Sequence, residues 1–148
     1  MIEIDRELFR DMVKFYGAAF QLPPLAAKIY AYLIFDFERR GASFDQFVDI
    51  FAASKSSVSS NLNLLLNLNI ISDFSKIDER KRFFVLNEKY MRIRFEEIIE
   101  KMQRESEILH QLKEFRGPMS AEELRRFEVY SNLFKKSISH IRETLEDL

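Results

Sequence analysis

Ser56, Ser60, Asn63 and Asn67 recur at intervals of three and four residues, a spacing that lines side chains up along one side of a helix. Lys55, Ser57, Ser59 and Asn61 flank that line. It carries no formal charge and is rich in groups that both donate and accept hydrogen bonds. Serine bonds either a base edge or a phosphate oxygen, and asparagine matches the donor–acceptor pair of adenine. Further along, Lys76, Arg80, Lys81 and Arg82 crowd into the segment from Ser75 to Arg82, where cations can neutralise phosphate. Asp78 and Glu79 oppose that role, unless they orient Arg80 through a charge-assisted bond. The combined chemistry is that of reading duplex DNA.

These residues need two short helices and a hairpin to hold them. Phe44, Phe47, Val48 and Phe51 fall at i, i+3, i+4 and i+7, giving one apolar face about two turns long. Ala52 and Ala53 are small enough for a close helix crossing. Ser54 is placed to cap the next helix, its hydroxyl accepting a first-turn amide. Val58, Leu62, Leu65 and Leu66 form the buried stripe of that second helix. Ile70 and Ile71 then open a strand, and Arg82 to Leu86 reads as its return. Helix, turn, helix, hairpin is the layout of a winged helix-turn-helix.

The segments SKSSVSSNLNLLLNLNII and DERKRFFVL resemble the MarR-type winged-helix regulators, and within them the GbsR-like branch, named for regulators of glycine-betaine and choline metabolism. The stretch LPPLAAKIYAYLIFD, Leu22 to Asp36, is similar to that branch's proline-started lead-in helix. The resemblance spans roughly Leu22 to Leu86. Two departures stand out. Asp78-Glu79 occupies a place where branch members often have a glycine-containing turn. Ala52 occupies a place where such turns often have glycine, so either Ala52 is left-handed or the turn differs in detail. The resemblance implies a homodimer on a pseudo-palindromic operator; the residue chemistry puts Ser56, Ser57, Ser60, Asn61 and Asn63 in or beside the major groove and Lys55 on phosphate. Lys76, Arg80, Lys81 and Arg82 would lie on the phosphate backbone. It also implies a small-molecule effector. Tyr16, Tyr30, Phe35 and Tyr90 are aromatic faces able to cage a quaternary ammonium.

The flanks are helical. Residues 5–20 form an amphipathic helix. Pro24 suits the first turn of a second, apolar nearly all round from Leu25 to Phe37 and therefore buried, and Arg39-Arg40-Gly41 ends it. A long helix opens at Asn87 or Glu88 and runs to about Phe115, where Gly117-Pro118 stops it. Ser120 caps a last helix, with Glu123 completing a capping box. Met91, Phe95, Ile98, Met102, Leu109 and Leu112 keep a heptad spacing in the first of these. Leu124, Phe127, Phe134, Ile138, Ile141 and Leu145 keep one in the second. Such seams can pack within one chain as an antiparallel hairpin. Helices of ~40 Å outreach the winged module, however, which together with the resemblance favours dimerisation. The domain expectation is an N-terminal helix over 1–21, a winged helix-turn-helix over 22–87 and a helical dimerisation region over 88–148. The fold class is mainly α, with a two-stranded β wing and long terminal dimerisation helices.

Composition bounds the alternatives. A net charge of −1 implies modest affinity for DNA in general and reliance on a dimer. The absence of cysteine excludes disulfides and thiolate chemistry. His110 and His140 are isolated, with no metal-ligand spacing around them. There is no nucleophile–base pair and no phosphate loop, so neither an enzyme nor a cofactor is expected. The acidic start and the lack of a long apolar run point to a cytoplasmic protein without a membrane span. The competing function is a winged-helix adaptor that binds protein and not DNA.

Overall fold

The computed structural model describes residues 2–148. The chain divides into two compact units that meet in sequence at Tyr90 and Met91. The architecture is mainly α with one small antiparallel sheet, the winged-helix arrangement expected from the sequence.

The first unit begins with α1 (Arg6–Ala19), whose N-cap Asp5 accepts the Leu8 amide at 2.8 Å. Val13, Tyr16 and Phe20 turn towards the core, whereas Leu8 and Phe15 remain in solvent. Pro24 starts α2 (Pro24–Ile34), the central element, with Ala26, Ala27, Ile29 and Leu33 buried. The helix stops three residues short of the expected Phe37. Asp36 ends it, its buried carboxylate accepting the amides of Arg40 at 3.2 Å and Gly41 at 2.8 Å. A carboxylate satisfied by two loop amides turns the chain out of the helix. Gly41 is required here: its φ is +79°, and an added Cβ would sit 3.1 Å from the Phe84 carbonyl oxygen.

That turn delivers β1 (Ala42–Ser43), which flows into α3 (Phe44–Phe51). Ser43 and Gln46 form a reciprocal capping box, the Ser43 hydroxyl accepting the Gln46 amide and the Gln46 side chain accepting the Ser43 amide. Ala52 ends α3 in the left-handed region, at φ 48° and ψ 41°. The first of the two turn alternatives therefore holds. Then come α4 (Lys55–Asn67), β2 (Ile71–Ser75) and β3 (Arg82–Leu86).

The sheet has three strands in the order β1-β3-β2. The hairpin itself is two-stranded as expected, in the register Ile71 opposite Leu86 and Ser75 opposite Arg82. The sequence reading lacked β1, which pairs Ala42 with Phe84 and Ser43 with Phe83. Asn87 closes the root of the hairpin: its amide donates to the Ile70 carbonyl at 3.1 Å and its side chain to the Asn69 carbonyl at 2.8 Å. One core joins these elements, with Phe47, Val58, Leu62, Leu65 and Phe84 packed against α2.

The second unit is a hairpin of α5 (Tyr90–Arg116) and α6 (Ala121–Leu145). α5 starts two or three residues later than expected, after a turn closed by the Tyr90 amide on the Asn87 carbonyl. The helices run antiparallel. Arg92 donates to the Leu145 carbonyl at 2.7 Å, and the His110 and Phe127 rings lie edge to face at 5.0 Å. Ser120 caps α6 by accepting the Glu123 amide. The expected capping box is only half made, because the Glu123 carboxylate pairs with Arg116 across the interhelical turn.

Candidate nucleic-acid interface

Two layers position α4. Val58, Leu62 and Leu65 are buried under it, and Leu64 and Leu66 pack partly against the same core. Ser54 caps its start, accepting the Ser57 amide at 3.2 Å. With the apolar stripe held inward, Ser56, Ser60, Asn63 and Asn67 are carried to the outside, where all four are exposed. Lys55 and Ser59 are exposed beside them, and Ser57 and Asn61 sit half-buried on the flank. Asn61 differs from its neighbours: its side-chain amide donates to the Ser57 carbonyl at 2.7 Å. Part of its bonding capacity is therefore spent along its own helix. Ser56 shares its hydroxyl with Ser54 at 3.4 Å.

α4 passes through Leu68 and Asn69 into β2, so the hairpin is tied to the C-terminal end of the exposed face. Its closing turn bonds the Glu79 amide to the Lys76 carbonyl at 3.1 Å. Ile77 and Asp78 thus sit at the apex, with the Ile77 side chain wholly in solvent. The four cations assigned to this wing fall into two kinds. Arg82 is held inside the hairpin, its Nε 2.8 Å from Asp73 Oδ2 and its guanidinium 5.2 Å from the centre of the Phe84 ring. Lys76 lies over the Phe83 ring at 4.5 Å, beside the stacked Phe74–Phe83 pair. Arg80 and Lys81 have neither an ion pair nor a cation–π contact among the described residues, and the same is true of Lys55. Asp78 and Glu79 do not pair with Arg80; the acidic partner within the wing is Asp73. No signal in the sequence separates Arg82 from Arg80, because the distinction rests on which residue opposes Ser75.

The aromatic residues singled out for a ligand cage do not share one cavity. Tyr16 meets Tyr30 edge to face at 5.0 Å, and Phe20 bridges them to Tyr90 at 5.8 Å. This cluster is core packing within the first unit. Phe35 stands apart with Phe9 and Phe37.

The residues expected to form a dimer interface divide as well. Ile138 and Leu145 are buried against Ile99 within the hairpin, with Phe95, Met102 and Ile141 around them. Phe127 packs on His110 and carries Lys113 over its ring at 4.7 Å. Phe134 is half-buried and Leu124 exposed. Other apolar side chains of the unit lie in solvent, among them Ile108, Leu112, Phe115, Tyr130 and Leu133. No helix among the described residues is long and apolar enough to cross a membrane, and no acidic or histidine cluster among them could hold a metal.

No protein family's sequence profile matches the chain, and no curated protein does. Solved structures do. One described as a transcriptional regulator superposes with a TM-score of 0.60 at 18% identity, covering 95% of each chain. At that identity the likeness shows the fold. Two others superpose less well. A MepR–DNA complex from S. aureus gives a TM-score of 0.45 at 16% identity, over 90% of this chain and 88% of that one. A MarR/EmrR-family transcriptional regulator from Acinetobacter sp. ADP1 gives 0.43 at 20% identity, over 88% of this chain and 87% of that one.

Proposed function

We propose that this chain is a MarR-type transcriptional regulator that binds a pseudo-palindromic operator as a homodimer. The observation that supports this most is the outer face of α4: capped, uncharged, dense in donors and acceptors, and continuous with a hairpin bearing the unpaired Arg80 and Lys81. Ser60 and Asn63 reach base edges in the major groove, while Lys55, Arg80 and Lys81 neutralise phosphate. Two copies place two α4 helices about one turn of DNA, ~34 Å, apart. The copies join through apolar side chains that the α5–α6 hairpin leaves in solvent. The transcriptional regulator that shares the fold over nearly the whole chain supports the same reading. An effector would act by changing the separation of the two α4 helices.

Anisotropy of a labelled duplex, titrated at several salt concentrations, is the test. Binding that weakens steeply with salt, followed by recovery of an inverted-repeat site from random duplexes, is the expected result. The absence of any duplex binding at low salt would remove the proposal. It would favour the second reading, a protein-binding winged helix, to which the net charge of −1 and the acidic Asp78-Glu79 in the wing turn lend support.

A further inference from the structure

The first unit contains a cavity of about 630 Å³ that the DNA-reading surface does not use. It opens between the C-terminal end of α2, the loop leading to β1, the start of α3 and the N-terminal segment. Its walls are aromatic on one side, with the rings of Tyr32, Phe35 and Phe37. Phe35 is nearly buried. Phe37 is 81% exposed and stands 6.5 Å from Phe35, centroid to centroid, a large ring left in solvent at the mouth. A volume of this size is that of an ordinary small-molecule site.

The polar lining is one-sided. Among the described residues, Glu3, Asp36 and Glu38 contribute three carboxylates and Arg40 the one cation, already paired with Glu38. Asp36 is 4% exposed. Its two oxygens each accept one backbone amide, which leaves lone pairs of a carboxylate unused. The Tyr32 hydroxyl has no hydrogen-bond partner among the described residues. Tyr32 and Asp36 line the same cavity, and the Tyr32 phenol is held above its ordinary pKa by burial first and by the Asp36 charge second. An anion entering here would meet uncompensated carboxylates. A neutral apolar molecule would cover Asp36 without satisfying it. A cation gains from both walls, since aromatic faces attract positive charge. Unused carboxylate lone pairs further favour a cation that carries N–H donors.

We propose that this cavity binds a small protonated amine on an apolar or aromatic body. The ammonium faces Asp36 and Glu3, and the body lies against Phe35 and Phe37. The site stands at the root of the wing. Asp36 fixes the amides of Arg40 and Gly41, and the next two residues form β1, paired to the wing strand β3. Gln46, another lining residue, closes the capping box of α3. Occupancy therefore acts on the strand that anchors the hairpin. The proposal does not rest on DNA recognition, and its test needs no DNA.

Benzylammonium, benzyltrimethylammonium and benzoate share one ring and differ in charge and in N–H donors. Each is titrated into the full-length protein at constant ionic strength and followed by amide NMR shifts and calorimetry. Benzylammonium should bind saturably in the millimolar range and shift the Phe37, Gly41 and Ala42 amides. Benzyltrimethylammonium should bind several-fold more weakly, and benzoate should not bind. Glu3→Gln and Phe37→Ala, both at accessible positions, should each weaken benzylammonium roughly threefold with unchanged circular dichroism. Absence of saturable shifts, equal binding of benzoate, shifts confined to other residues, or indifference to both variants would each overturn the site.

Discussion

Asp73 and Arg82 meet diagonally across the hairpin: Arg82 stands opposite Ser75, yet its Nε donates to Asp73 Oδ2, 2.8 Å away. The pair withdraws Arg82 from the positive charge available to a polyanion. Arg82→Ala should leave the salt slope of duplex binding nearly unchanged and cost the fold at most about 1 kcal/mol, as an exposed pair does. Arg80→Ala and Lys81→Ala should each reduce that slope by about one unit. Anisotropy titrations in graded salt compare the three. A full unit lost in Arg82→Ala would show that the ion pair opens on DNA.

The α4 face makes a second distinction. Ser60→Ala and Asn63→Ala should change base preference by about 1 to 3 kcal/mol at single operator positions. Asn61→Ala should act less on preference, because its amide already serves the Ser57 carbonyl. Site selection with each variant reads the difference directly. Equal and sequence-independent losses in all three would assign the face to phosphate.

Ala52 adopts a left-handed conformation that disfavours a Cβ. Ala52→Gly should raise stability to urea by about 1 kcal/mol, less the extra freedom that glycine gives the unfolded chain. Ala52→Val should lower stability. If Ala52→Gly destabilised the protein, unfolded-state entropy would outweigh relief of the turn.

Glu123 and Arg116 pair across the α5–α6 turn. The hydrogen bond from Arg116 is the main reason the Glu123 carboxyl is held below its ordinary value; burial opposes the shift. A carboxyl depressed in the folded state stabilises above its unfolded pKa and loses that contribution as pH falls through the folded value. The wild-type hairpin should therefore lose thermal stability on acidification through and below the usual carboxylate range. Glu123→Gln should lose less over the same interval. An NMR titration placing Glu123 at an ordinary glutamate value would remove the basis for this expectation.

Self-association offers the fifth test. Leu112→Glu or Leu133→Glu, at positions left in solvent, should yield a folded monomer with much weaker operator binding. Ile138→Glu should instead unfold the hairpin, because Ile138 is packed against Ile99 and Leu145. Light scattering and circular dichroism together separate the outcomes. A dimer unaffected by both surface charges would place the interface elsewhere.

Much of this arrangement was legible before any coordinates. The places of α3 and α4 followed from Phe44, Phe47, Val58 and Leu62, because their apolar period matches the helix, and Ser54 marks the start of α4. Three features were not. A strand of two residues has no period, so Ala42-Ser43 gave no sign of β1. The Ser43–Gln46 capping box is a serine followed three residues later by glutamine, a pair too common to mark a helix start without the reciprocal bonds the structure shows. The end of α2 depended on Asp36 reaching forward to two amides, which apolar pattern does not encode. The heptad positions of α6 were correctly apolar, but period does not say whether Ile138 faces its own chain or a second copy. For the candidate site, the residue types on α4 were visible. The sorting of Arg80 from Arg82 required the hairpin register.

The place of β3 in the middle of the sheet sets an order of events during folding. β1 is made early, but its partner Phe84 lies far downstream. The β2–β3 hairpin can zip locally, whereas seating β1 closes a loop of roughly forty residues, an entropic cost that precedes any reward. A nascent chain that has not yet delivered Leu86 has the residues of α4 but not the central strand of its sheet. The residues of α4 thus precede the strand that locks their domain together, and the last strand made is the one that can close the sheet of the first unit.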